Sequence, residues 1–115
     1  MLFRSITPGF NLKARWIIHT VGPIWKGGDR GEPELLASCY EASLRLAVLH
    51  GVRTMAFPAI STGAYAYPVK LAAQIAIESV RRFIARESGP DEVVFCCYSG
   101  EDYATYKHTL RNRDA

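Results

Sequence analysis

Short apolar runs, bounded by glycine, proline and serine, predict buried β-strands in this chain. Three runs are near-continuous rather than alternating, a pattern typical of strands covered on both faces of a sheet. A weaker run opens the chain and ends before Pro8 and Gly9. The three strong runs are residues 16–21, 54–57 and 93–98, and the weaker run is residues 2–7.

Between the strands, apolar residues recur at helical spacing. From residue 34 to residue 50 they form one stripe, with Pro33 in the first turn and Gly51 as a C-terminal cap. A second stripe follows Pro68, and a third helix is predicted over residues 101–110. Strands and helices therefore alternate along the chain, which predicts an α/β fold with a mostly parallel or mixed sheet.

Composition narrows the class of protein. With 115 residues, 49% of them apolar and 22% charged, the chain is predicted to be a single globular domain. A net charge of +3 is too small to indicate a nucleic-acid binder. No apolar run approaches the ~18 residues of a membrane span, and an odd count of three cysteines argues against a disulfide framework. We therefore predict a cytoplasmic protein with no membrane partner, no cofactor and no metal site.

The most informative segment, residues 57–68, runs from the end of a strand into a helix. It places Ser61, Thr62 and Gly63 just beyond the carboxyl end of the strand, where open α/β sheets bind ligands. Small residues there let successive N–H groups approach a phosphate or diphosphate, and Gly63 can adopt a positive φ. An ordinary strand-to-helix turn remains the alternative, because one glycine is fewer than a Walker or dinucleotide fingerprint requires.

Several polar residues have purely structural interpretations. His19, in the middle of a strand, is predicted to be a hydrogen-bonded core residue. Cys96 and Cys97 are predicted to be buried free thiols that point to opposite faces of a strand. The polar stretch of residues 26–32 is predicted to be a surface loop between a strand and a helix. None of these positions is assigned a chemical role.

Two motifs in the chain resemble those of the macro domain, the ADP-ribose-binding fold. Residues 18–25, Ile-His-Thr-Val-Gly-Pro-Ile-Trp, carry the first motif, and residues 57–63, Phe-Pro-Ala-Ile-Ser-Thr-Gly, carry the second. The resemblance covers residues 6–110 and looks closest to bacterial O-acetyl-ADP-ribose deacetylases and ADP-ribosyl hydrolases. It implies a three-layer α/β/α fold, with residues 1–115 forming one N-terminally truncated macro domain. The implied ligand is ADP-ribose, or an ADP-ribosylated small molecule or protein.

The same resemblance implies where the ligand binds. In the family, the matching loop wraps the diphosphate and the distal ribose, and Tyr65 occupies the aromatic position that packs on this ribose and orients the reacting end. Ala66 departs from the family pattern, which has a second glycine between two aromatic residues. If this position needs φ > 0, the extra Cβ costs roughly 1–2 kcal/mol. The implied ligand-binding residues are Ile60, Ser61, Thr62, Gly63, Ala64 and Tyr65.

Three features that the resemblance would place near the N-terminus have no match in this chain. They are a first strand with Gly-Asp-Ile, an Asn-Ala-Ala-Asn stretch, and a glycine-rich loop whose Asp helps to activate water; the only asparagines here are Asn11 and Asn112. No catalytic residue is therefore predicted beyond the orienting role of Tyr65. Three functions stay open: a hydrolase acting on ADP-ribose, a binding module without turnover, and a fragment that needs a partner segment. An exposed sheet edge would also be a route to oligomers.

Overall fold

The computed structural model describes residues 4–114, in which two successive strands are followed by alternating helices and strands. The strands are β1 (Arg4–Pro8), β2 (Trp16–Thr20), β3 (Thr54–Phe57) and β4 (Glu92–Phe95). The helices are α1 (Glu32–Leu49), α2 (Val69–Arg86) and α3 (Gly100–Asp114). The predicted order of elements is confirmed, and residues 2 and 3 of the weak first run lie outside the described residues.

The strands form two small sheets. β1 and β2 pair antiparallel, with Ile6 opposite Ile18, and β3 and β4 pair in parallel, with Phe57 opposite Phe95. A short connection is enough for the antiparallel pair, whereas α2 provides the crossover that the parallel pair requires. The predicted α/β class with mixed strand pairing is confirmed.

The helices begin and end close to the predicted positions because their local signals act as expected. Gly31, with φ 78°, precedes α1, and Pro33 lies in its first turn. Gly51 adopts φ 69° just beyond the end of α1, as a left-handed residue that terminates a helix does. At α3, the Ser99 hydroxyl accepts a 3.1 Å hydrogen bond from the N–H of Asp102, which satisfies one of the free donors of the first turn.

The core lies between the three helices and one face of the β3–β4 sheet. The ring of Tyr40 on α1 lies 4.8 Å from that of Phe57 on β3, which lies 6.3 Å from that of Phe95 on β4. Tyr106 on α3 completes the series, 5.4 Å from Phe95. Full burial of such a side chain contributes about 1.5–3 kcal/mol, and Phe95 is only partly buried. The apolar residues that α2 buries in this core are Ala72, Ala73, Ala76, Ile77, Val80 and Phe83.

The strands are covered on one face rather than on both. Phe57 is buried in the core, whereas Thr54 and Ala56 are exposed and Val94 is 46% exposed. Helices α1, α2 and α3 all contribute to the single core cluster. Within residues 4–114, the helices therefore cover the face of β3 that carries Phe57, and the opposite face of β3 and β4 is exposed.

Three side chains of the strand regions also differ from prediction. β4 ends at Phe95, so Cys96 is exposed and Cys97 is only partly buried. His19 is hydrogen-bonded, with its Nε2 3.0 Å from the Thr7 hydroxyl, but it is exposed rather than in the core. The correction at His19 follows from the exposed face of β2, and the correction at the two cysteines follows from the end of β4 at Phe95.

Candidate ligand-binding loop

The candidate site is the connection between β3 and α2. β3 ends at Phe57, which is 4% exposed, and α2 begins at Val69. The N–H of Cys96 donates a 2.8 Å hydrogen bond to the carbonyl of Phe57, so β3 and β4 end side by side. Residues 58–68 therefore leave the carboxyl edge of a parallel pair, which is the location that the sequence predicts.

Hydrogen bonds close this connection into a turn. The N–H of Tyr67 donates to the carbonyl of Ser61 at 3.0 Å, and the N–H of Ala66 donates to the carbonyl of Gly63 at 3.0 Å. The Thr62 hydroxyl donates to a carbonyl three residues earlier, at 3.3 Å. These bonds hold the shape of the loop and leave the N–H groups of residues 61–65 unused.

Five consecutive peptide N–H groups, those of residues 61–65, donate to no acceptor within the described part of the chain. Residues 63–65 are exposed, and Ser61 and Thr62 are partly buried. The Ser61 hydroxyl is itself buried and has no hydrogen-bond partner among the described residues. Free N–H groups in a turn conformation are donors suited to an anion.

Two residues of the loop, neither of them glycine, adopt a left-handed conformation. Ser61 has φ 68° and Ala66 has φ 61°, whereas Gly63 is not among the residues with a positive φ. The loop does not use the freedom of Gly63 to adopt a positive φ, because the left-handed residues lie at the two ends of the turn instead. At Ala66 the anticipated cost applies, and a left-handed alanine costs roughly 1–2 kcal/mol. A Cβ on Gly63 would meet no atom within 4 Å, so the space above it is open.

The two tyrosines of the loop have different environments. Tyr67 is 2% exposed, and its ring centroid lies 4.6 Å from that of Trp25. Burial raises the pKa of the Tyr67 hydroxyl, and the carboxylates of Glu32 and Glu34 act in the same direction. Tyr65 is 36% exposed. Only Tyr65 therefore offers an aromatic face to a ligand.

The segment after β2 forms a second wall of the site. A Cβ on Gly22 would overlap the Ser61 hydroxyl oxygen and approach Ile60 Cγ2 to 2.5 Å. Glycine is favoured here because the side chains of Ser61 and Ile60 occupy the space that a Cβ would need. Sequence reasoning treated Gly22 only as the end of a strand and missed this contact, although the residue lies inside the first motif, residues 18–25.

Tyr40 supports the loop from α1. Its side chain is fully buried, and desolvation raises the pKa of its hydroxyl well above the usual range, with the neighbouring Tyr106 adding to the effect. The N–H of Ile60 lies near this hydroxyl and opposes the rise in pKa, although the hydroxyl has no hydrogen-bond partner among the described residues. Tyr40 therefore stays neutral and anchors the first residue of the loop by packing.

Glu32 is a buried acid in the stretch of residues 26–32, which the sequence predicts to be a surface loop. It is 1% exposed, and its carboxylate accepts hydrogen bonds from the N–H groups of Lys26 at 2.8 Å, Gly28 at 2.9 Å and Arg30 at 2.6 Å. Burial acts to raise its pKa, but the hydrogen bonds prevail and lower the pKa to about 2. The prediction of a plain surface loop is wrong at this residue, because one buried carboxylate organises the whole stretch.

Within residues 4–114, no group of three His, Cys, Asp or Glu side chains is placed to hold a metal ion. No helix of that range is long and apolar enough to cross a bilayer. The loop of residues 60–65 is therefore the one candidate site that the sequence and the fold share.

Proteins of a known family match most of the length of this chain in sequence. The family model described as Macro domain matches residues 4–76. A macro domain-containing protein of Chlorobaculum tepidum is 56% identical over 106 residues, which are 92% of this chain and 62% of that protein. A Citrobacter koseri protein named O-acetyl-ADP-ribose deacetylase is 50% identical over 105 residues, which are 91% of this chain and 59% of that protein. The chain thus spans about three-fifths of the length of these curated relatives.

Solved structures agree with the sequence relatives. The Oceanobacillus iheyensis macrodomain with ADP has a TM-score of 0.91 and 39% identity, over 96% of this chain and 58% of that one. The Trypanosoma brucei macrodomain in complex with ADP-ribose has a TM-score of 0.85 and 35% identity, over 93% of this chain and 44% of that one. The chain belongs to the macro domain family, because the family model covers more than half of it. The resemblance carried by the two motifs is confirmed.

Proposed function

We propose that this chain binds ADP-ribose, or an ADP-ribosyl group on another molecule, with the diphosphate held by residues 60–65. The observation that carries the proposal is the run of five N–H groups, residues 61–65, without an acceptor in the described chain. A diphosphate has several charged oxygens and can accept from several N–H groups at once. Support comes from the Oceanobacillus iheyensis and Trypanosoma brucei macrodomains, whose structures hold ADP and ADP-ribose.

The loop residues divide between anchoring and contact in this proposal. Ile60 and Ser61 are partly buried and hold the start of the loop, while the Ser61 hydroxyl remains available as a donor. Gly63 and Ala64 are exposed and leave room for the diphosphate. Tyr65, which is 36% exposed, packs on the distal ribose.

Calorimetric titration with ADP-ribose tests the loop. Gly63→Val should weaken binding roughly tenfold or more, because its side chain would enter space that no protein atom fills. Gly100→Val is the matched control, since a Cβ there also meets no atom within 4 Å but lies at the start of α3. Unchanged affinity in a folded Gly63→Val protein would refute the assignment.

Ligand fragments separate the diphosphate from the rest of the molecule. ADP-ribose and ADP should bind, and adenosine should not, because only the first two carry the group that the free N–H groups would hold. We expect weak affinity, since the features that the resemblance places near the adenine have no match in this chain. Adenosine binding as tightly as ADP would show that the loop does not contribute through the diphosphate.

We further propose that this chain alone binds without turnover. Hydrolysis beside the distal ribose requires a carboxylate able to accept a proton from water. Glu32, the buried acid at the start of α1, already accepts three N–H groups and has a pKa of about 2, which makes it a poor base.

The hydrolytic alternative is favoured by the name of the Citrobacter koseri relative, O-acetyl-ADP-ribose deacetylase. Incubation with O-acetyl-ADP-ribose decides between the two, with that relative assayed in parallel as the active control. We expect no acetate release above the rate in buffer. Turnover comparable to that of the control would overturn the proposal of binding alone and leave the ligand class intact.

A further inference from the structure

The carboxylate of Glu32 fixes the path of the chain that follows Trp25. It is 1% exposed and accepts hydrogen bonds from the N–H groups of Lys26 at 2.8 Å, Gly28 at 2.9 Å and Arg30 at 2.6 Å. Gly28 has φ 92°, a backbone conformation that glycine adopts easily, so the chain can wrap around one carboxylate. The path of this stretch is therefore set by a single buried side chain.

The wrapped stretch lies against the indole ring of Trp25. A Cβ on Gly28 would lie 3.0 Å from Trp25 Cη2, so the backbone of Gly28 is beside the edge of the ring. A Cβ on the preceding Gly27 would meet no atom of residues 4–114 within 4 Å. Gly28 therefore makes two contacts, a hydrogen bond to Glu32 and a packing contact with Trp25. A displaced Glu32 carboxylate would move the surface on which the indole rests.

Trp25 in turn contacts the last part of the candidate binding loop. Its N–H donates to the carbonyl of Tyr65 at 2.9 Å, and its ring centroid lies 4.6 Å from that of Tyr67. The first part of the loop has a different neighbour, since Gly22 lies against the side chain of Ser61. The two ends of the loop are therefore supported separately, and Glu32 is connected to the end that carries Tyr65.

We propose that Glu32 is a positioning residue for Tyr65, acting through Gly28 and Trp25, and that it gives the site a preference for ADP-ribose over ADP. This inference rests on the proposed function, in which Tyr65 packs on the distal ribose. ADP carries the diphosphate without that ribose, so it gains little from an ordered Tyr65. A residue that is held in place before binding loses less conformational entropy in the complex, and networks of packed groups transmit such effects between neighbouring residues.

Calorimetric titration of Glu32→Gln with ADP-ribose and with ADP tests the proposal, at a temperature where circular dichroism shows a folded variant. We expect affinity for ADP-ribose to fall roughly tenfold and affinity for ADP to fall less than about threefold. A purely structural role would lower the folded fraction and weaken both ligands by the same factor. Glu34→Gln is the matched control, because Glu34 is an exposed acid that also acts on the Tyr67 hydroxyl. It should keep the preference for ADP-ribose.

A pair of glycine variants tests the contact with Trp25 without removing a charge. Gly27 and Gly28 have φ 90° and 92°, so alanine at either position carries similar backbone strain. Only the Cβ of Gly28→Ala comes within 3.0 Å of the indole. We expect Gly28→Ala to lose the preference for ADP-ribose over ADP and Gly27→Ala to keep it. This pair decides the question if Glu32→Gln does not fold.

Amide hydrogen exchange without ligand separates this inference from the proposed function. In Glu32→Gln, the N–H of Trp25 should exchange roughly tenfold faster than in the unchanged protein, because its bond to the Tyr65 carbonyl is less well held. The N–H of Cys96, which donates to Phe57 at 2.8 Å, is the internal control and should change less. If the unchanged protein binds neither ADP-ribose nor ADP, the proposed function fails, and the exchange at Trp25 still decides whether Glu32 positions Tyr65.

Three outcomes would overturn the proposal. One is an equal loss of affinity for ADP-ribose and for ADP in a folded Glu32→Gln protein. The second is the same ligand preference in Gly28→Ala and Gly27→Ala, since the contact with the indole would then have no effect on the site. The third is an unchanged exchange rate at Trp25 in Glu32→Gln, which would show that the carboxylate does not hold the bond to Tyr65.

Discussion

The peptide N–H of Trp25 donates a 2.9 Å hydrogen bond to the carbonyl of Tyr65. The bond joins the segment that follows β2 to the loop that follows β3. The ring of Trp25 also packs on Tyr67, with centroids 4.6 Å apart, so one residue of the first motif contacts two residues beside the second. The shape of the candidate binding loop therefore depends on a contact between segments that are distant in sequence.

The two tyrosines should have separable effects. Tyr67→Ala should lower stability by about 3–5 kcal/mol, as truncation of a buried aromatic residue does, because Tyr67 is 2% exposed against Trp25. Tyr65→Ala should leave the melting temperature nearly unchanged and weaken ADP-ribose binding. Thermal unfolding and calorimetry on both variants measure the two effects. A larger stability loss in Tyr65→Ala than in Tyr67→Ala would contradict the assignment.

Gly22→Ala should disturb the loop from the neighbouring segment. Its Cβ would overlap the Ser61 hydroxyl and approach Ile60 Cγ2 to 2.5 Å, and such overpacking costs about 1–3 kcal/mol. We expect a lower melting temperature and weaker ADP-ribose binding. Gly63→Ala is the control for stability, because its Cβ meets no atom within 4 Å. Equal melting temperatures for the two variants would mean that the contact with Gly22 is not tight.

Ala66→Gly should stabilise the protein. Ala66 has φ 61°, and relief of the left-handed strain, roughly 1–2 kcal/mol, exceeds the ~0.5–1 kcal/mol that glycine loses in backbone entropy. The net gain of up to about 1 kcal/mol would appear as a rise of several degrees in melting temperature. Ala64→Gly, at a position without a positive φ, is the control and should lower the melting temperature slightly. A decrease of similar size in both variants would exclude strain at Ala66.

Glu32→Gln should weaken the fold and change its response to acid. The folded protein holds the pKa of Glu32 at about 2, against an ordinary value of 4.5, so Glu32 contributes its full stabilisation above pH 4.5. That contribution is lost as the pH falls from 4.5 towards 2. The variant should have a lower melting temperature at neutral pH and a flatter profile over the acid range. Glu34→Gln, at an exposed position two residues on, should keep the pH profile of the unchanged protein. Identical pH profiles for the two variants would show that the hydrogen bonds to the Glu32 carboxylate do not stabilise the fold.

Local patterns in the sequence were sufficient for much of the fold. The apolar runs and stripes predicted the order of strands and helices, because periodicity along the chain reflects which side of an element is buried. Gly51 and Ser99 marked helix ends, since caps act through bonds to residues only a few positions away. The position of residues 60–65 at a strand end was predictable for the same reason, and the two motifs identified the family.

Tertiary structure alone decided how the site is built. Which residues turn left-handed, Ser61 and Ala66 rather than Gly63, depends on how the loop docks beside Gly22. The burial of Glu32 likewise arises from segments distant in sequence. The sequence by itself determined the strands and helices, their order and the family, because these depend on residues that lie close together along the chain. Only the tertiary structure decided the partners of the buried polar groups, because these depend on contacts between distant segments that no local pattern records.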